Sequence, residues 1–117
     1  MVDKKVSIRS LFMQVEQAIS YYSVASARLN DNEDPDEYTR TKSEILSLET
    51  KIYGIFEKIE SMCNEALQQQ SAVPTTAAAQ ARNHAYHLND IRNDFERTRK
   101  HTNETLERIE LLSGYSK

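Results

Sequence analysis

Apolar residues recur along this chain in three stretches, separated by two polar breaks. Within each stretch the steps alternate between three and four, which places the side chains along one stripe of an α-helix. In the first, Ile8, Val15, Tyr22 and Leu29 repeat every seven residues. Leu11, Ala18 and Ala25 sit between them, and Phe12 and Ile19 widen the stripe. In the second, two seams run side by side: Tyr38, Ile45, Ile52, Ile59, Ala66 and Thr41, Leu48, Ile55, Met62. The third is one long seam of Ala81, His84, Leu88, Ile91, Phe95, Thr98, Thr102, Thr105, Ile109 and Leu112.

The breaks are Asn30-Asp31-Asn32-Glu33-Asp34-Pro35-Asp36 and Ser71-Ala72-Val73-Pro74-Thr75-Thr76. Each proline disfavours helix at the residue before it and tolerates helix just after. The pattern predicts helices over about residues 3–29, 36–70 and 76–113, with Asp34 or Asp36 and Thr75 or Thr76 as N-caps and Gly114 as a C-terminal cap. Heptads sustained over three or more repeats specify left-handed bundle packing. Short connections make successive helices antiparallel. The expectation is an all-α, up-down-up three-helix bundle forming a single domain over residues 1–117.

That topology lets layers be written down. Leu29, Tyr38 and Ile109 should share one, followed by Tyr22, Ile45 and Thr102, then Val15, Ile52 and Phe95, then Ile8, Ile59 and Leu88. Between them fall Leu11, Ile55 and Ile91, and Ala18, Leu48 and Thr98. At a rise of ~1.5 Å per residue the second helix is about 50 Å long and the first about 40 Å. Residues 64–70 and 76–82 should therefore project past the first helix as an Ala- and Gln-rich hairpin.

Composition narrows the class. The 117 residues include two Gly, two Pro and no Trp, so only a few long elements fit. The formal net charge of -3 argues against nonspecific nucleic-acid binding, which needs a basic surplus. One cysteine, Cys63, cannot form an intramolecular disulfide and fits a reducing compartment. The N-terminus lacks the apolar core of a signal peptide, and Val2 stands where myristoylation needs glycine. No run approaches the ~20 apolar residues of a membrane span, so the chain as given reads as soluble.

Candidate chemistry is sparse, and nothing in the pattern calls for a catalytic group, a cofactor or a metal. His84 and His87 are three apart, a spacing at which two helical residues can face one metal, but no acidic or thiol partner is fixed beside them. An exposed His87 would suit phosphoryl transfer, yet Leu88-Asn89-Asp90 differs from the Lys-Gly that follows the histidine in that signature. Cys63, beside Met62, reads as a buried inert thiol. Arg97, Arg99, Lys100 and His101 are the most basic stretch. Glu96 and Glu104 nearby make it either a solvated face or a docking patch for an acidic protein or headgroup, with Arg97, Arg99 and Lys100 as its core. Lys4, Lys5 and Arg9 form a smaller candidate. Thr41, Thr98, Thr102 and Thr105 either bond carbonyls within their own helices or soften the seam for a partner helix, and Tyr22 could reach Thr102. Gly54, in mid-helix, either permits close approach of a neighbour or is a tolerated surface glycine.

The third helix resembles the last helix of the N-terminal three-helix (Habc) domain of GOS-type Golgi Qb-SNAREs. The resemblance rests on His84, Leu88-Asn89-Asp90, Phe95-Glu96-Arg97-Thr98-Arg99, Glu107-Arg108 and Leu111-Leu112, with Val6-Ser7-Ile8-Arg9 near the start. The connection between the first two helices is short and acidic here, where family members often have a longer serine-rich one. The resemblance implies a regulatory, protein-interaction module with no enzymatic activity, acting in vesicle fusion on ER-to-Golgi and intra-Golgi routes. It also implies a monomeric domain on the cytosolic face of Golgi membranes, within a longer membrane-anchored protein whose SNARE motif lies outside these residues. Expected partners are a Golgi tethering complex, the protein's own SNARE motif, and cognate Golgi SNAREs through the full-length protein. A histidine phosphotransfer-type domain and a spectrin-like spacer share the bundle and are the alternatives.

Overall fold

A computed structural model describes residues 7–31, 34–68 and 75–113. Helix α1 runs Ile8–Arg28, followed by a short 3-10 turn at Leu29–Asp31. Helix α2 runs Pro35–Gln68 and α3 runs Thr75–Ser113. The two later helices are longer, with 34 and 39 residues against 21. They pack as an elongated three-helix bundle of 59 × 33 × 21 Å, the expected class and topology.

The helix starts follow from local chemistry. Ser7 is extended, and its hydroxyl accepts from the Ser10 N–H at 3.0 Å. This cap starts α1 at Ile8 rather than near residue 3. An extended Ser7 cannot continue a helix backwards, and its oxygen satisfies an end donor that would otherwise lack a partner. Residues 3–6 lie outside the described residues. At α2, Asp34 is the cap: its carboxylate accepts from the Asp36 N–H at 3.1 Å and its carbonyl from Tyr38 N–H at 2.9 Å. Pro35 takes the first helical position, where its missing N–H costs nothing, and Asp36 and Glu37 favour the positive helix end. Thr75 opens α3, while the expected cap Gly114 falls outside the described residues.

The core follows the seams closely. Val15, Tyr22, Ala25, Ile45, Ile52, Phe56 and Ile59 are completely buried. At mid-bundle Phe95 makes edge-on contacts with Tyr22, Tyr53 and Phe56, with ring centroids 5.0, 5.6 and 6.0 Å away. Helix α2 is the central member, since α1 and α3 each pack closely on it and approach one another less closely.

Three details depart from the apolar pattern. Leu112, the end of the third seam, is 79% exposed, whereas Leu106 is buried. Glu49 is buried and Leu48 only half-buried, so the layer expected around Leu48 holds a carboxylate. Finally, α1 sits about one turn nearer the α2–α3 hairpin than the layers placed it. Phe95 contacts Tyr22, although it was expected beside Val15. Thr102 bonds Ser26, one turn past Tyr22, and Tyr22 reaches Glu49, one turn past Ile45. Between α2 and α3 the register is as expected, with Tyr38 bonded to Glu110, next to Ile109.

The later start of α1 offsets its displacement. Ala78 and Ala81, near the start of α3, are buried, while residues 69 and 70 of the expected hairpin tip lie outside the described residues.

Candidate protein-docking site

The residues proposed from sequence for docking do not form one face. On α3, 3.6 residues per turn place Arg97 and Arg99 on different sides. Arg97 is exposed and bonds Asp94 within its own turn. Lys100 and His101 are exposed. Arg99 instead turns into the α2–α3 contact. Its Nε lies 3.4 Å from Glu49 Oε1 and its Nη1 3.7 Å from Glu96 Oε1, and its guanidinium sits over the Tyr53 ring at 5.6 Å. Burial pulls the Arg99 pKa down, but Tyr53 and the Glu49 carboxylate overcome it and hold it above the ordinary arginine value. Of the three residues, Arg97 and Lys100 are exposed and Arg99 is half-buried. Lys4 and Lys5 lie outside the described residues, and Arg9 is exposed.

Arg99 belongs to a polar cluster at the bundle's centre to which all three helices contribute. The Tyr22 phenol donates to Glu49 Oε2 at 3.0 Å. Burial, then the bond to Glu49, pushes its pKa well above the ordinary tyrosine value. Tyr53 donates to Glu96, and burial together with that bond raises its pKa to about 12. Thr102 gives its one hydroxyl proton to the Thr98 carbonyl at 2.9 Å, so the 2.7 Å contact from Ser26 must be donated by Ser26. Thr98 and Thr105 likewise bond the carbonyls of Asp94 and His101 one turn back. The seam threonines of α3 are therefore satisfied within their helix.

A second cluster closes the other end of the α2–α3 seam. Tyr38 and Lys42 both donate to Glu110. The bonds from Lys42 and then Tyr38 hold its carboxyl below the usual range.

The remaining candidates fall into structural settings. His84 and His87 flank Phe12, with ring centroids 5.8 and 4.6 Å from it. His87 Nε2 lies 3.7 Å from Glu16 Oε2, on the α1–α3 side. Among the described residues, no group of three His, Cys, Asp or Glu comes together to hold a metal. Cys63 is buried, and burial raises its thiol pKa, as does nearby Glu60, leaving it a poor nucleophile. A Cβ added at Gly54 meets nothing within 4 Å, which makes it a surface glycine and not a close-approach point. No described helix is long and apolar enough to cross a membrane.

Sequence reasoning passed over the outer face of α1. Met13, Tyr21 and Val24 are 66%, 53% and 57% exposed there. Between Ser10 and Ala27 the sole charged residue is Glu16, whereas the outer faces of α2 and α3 are densely charged. It also passed over Glu49, whose position four after Ile45 and three before Ile52 was the available signal. Comparison with family models, curated proteins and solved structures finds no match to this chain.

Proposed function

We propose that this chain is the N-terminal regulatory and protein-interaction domain of a GOS-type Golgi Qb-SNARE. In this reading it acts on the cytosolic face of Golgi membranes in ER-to-Golgi and intra-Golgi transport. It performs no catalysis of its own. It docks other proteins, among them a Golgi tethering complex, and it accompanies a SNARE motif that pairs with cognate Golgi SNAREs.

The observation that carries the reading is the match between architecture and resemblance. The fold is an antiparallel three-helix bundle with longer second and third helices. The α3 residues that carry the family likeness include those that hold α3 in the bundle: Leu88 and Phe95 are buried, while Glu96 and Arg99 engage Tyr53 and Glu49 on α2. Others remain at the surface, with Arg97 exposed and Leu111 and Leu112 82% and 79% exposed, open to a partner. An amphipathic helix docks by laying its apolar face into a groove, such as one between two packed helices.

The test is localisation and depletion of the complete gene product in its own cells. The reading predicts Golgi staining and a delay of secretory cargo between ER and Golgi. A diffuse distribution with normal secretion after depletion would refute it.

A further inference from the structure

The centre of the bundle is where the helices exchange polar side chains, and it is also where α1 departs from its apolar seam. Heptad seams are degenerate, because sliding one helix by a turn still sets aliphatic side chains against aliphatic ones. The apolar positions alone would put Val15 at Phe95 and Tyr22 at Ile45. The observed position has Tyr22 on Phe95 at 5.0 Å and Ser26 on Thr102 at 2.7 Å.

What separates the two registers is polar. In the observed one, Tyr22 donates to the buried Glu49 carboxylate, and Arg99 lies against the same group. With α1 one turn away, Glu49 would keep Arg99 of α3 but lose its one aligned donor, and the phenol would face Ile45. Stripping a buried carboxylate and a buried phenol of the bond between them disfavours that state.

The cluster is poorly built for strength. Arg99 Nε is buried without an aligned hydrogen bond, 3.4 Å from Glu49. Buried ionic groups of this kind add little stability, and their best-attested role is the choice of register. We propose that Tyr22, Ser26, Glu49, Arg99 and Thr102 form a register lock that decides where α1 sits on the α2–α3 hairpin. Releasing the lock slides α1 by one turn and leaves the bundle folded.

The experiment replaces the polar groups together, as Tyr22→Phe, Ser26→Ala, Glu49→Leu and Arg99→Met, in a Cys63→Ala background. Spin labels on Ser20→Cys in α1 and Glu107→Cys in α3 report the slide by electron paramagnetic resonance. A second pair, Glu57→Cys with Glu107→Cys, reports the α2–α3 hairpin. With the cluster intact, the α1–α3 pair should give one distance. In the apolar variant that distance should shorten by about 5 Å, the rise of one turn, or split into two populations. The α2–α3 distance and the helical circular dichroism should hold. An unchanged single α1–α3 distance would overturn the proposal. So would loss of helical signal or a change in the α2–α3 distance, since a lock chooses only among folded registers of α1.

Discussion

Replacing Glu49 with alanine removes the acceptor at the centre of the bundle. Glu49 is 8% exposed and takes the Tyr22 phenol at 3.0 Å. A hydrogen bond to a charged group contributes about 1.5–3 kcal/mol, and the buried phenol loses it, keeping only the neutral Thr102 hydroxyl beside it. Arg99 counts for less, because its side chain is 37% exposed and water can solvate it once Glu49 is gone. The expected destabilisation of Glu49→Ala is therefore about 2–3 kcal/mol, with Tyr22→Phe costing a similar amount. Urea unfolding followed by circular dichroism at the helical band measures both. The double variant decides the mechanism: Tyr22→Phe with Glu49→Ala should fall short of the sum of the singles by on the order of 1–2 kcal/mol, the coupling of one contact pair. Strict additivity, or a Glu49→Ala loss below about 0.5 kcal/mol, the range of ordinary surface changes, would refute the claim that this buried pair holds α1 in place.

Gly54→Ala should stabilise the bundle by about 1 kcal/mol in the same assay, since alanine is the better helix former and its Cβ meets nothing within 4 Å. Raised phenol pKa values make the tyrosine contribution complete below the ordinary tyrosine value and lost as pH climbs through the folded one. Stability should therefore fall between pH 10 and about 12, and Tyr53→Phe should flatten that limb in alkaline denaturation. Glu110 titrates the opposite way. Its lowered pKa contributes stability above the ordinary carboxylate value of about 4.3 that disappears as pH falls, so Glu110→Gln should reduce the acid sensitivity of the unfolding midpoint.

The three helices were legible because period and punctuation agree. Val15, Ile52 and Phe95 were assigned to the core from spacing and are buried, and Asp34 before Pro35 was among the predicted caps. Periodicity measures which face a residue occupies but not how far along a neighbour it lies. The α1 register was therefore missed, because nothing in an apolar repeat separates one turn from the next. Glu49 occupies a stripe position, yet its partners Tyr22 and Arg99 are 27 and 50 residues away in sequence, so the bonds that let a carboxylate be buried are invisible until the helices pack. The same is true of Arg99. In sequence it belongs to a basic run with Arg97 and Lys100, but a helix turns it inward, towards Tyr53, while the other two face water.

The most direct test of the functional claim is isolation of the complete gene product from membranes solubilised under conditions that preserve SNARE complexes. The proposed function predicts stoichiometric recovery of cognate Golgi SNAREs, together with a Golgi tether whose capture weakens in a charge-reversed Arg97→Glu, Lys100→Glu variant. Purification as a species free of Golgi SNAREs would contradict it.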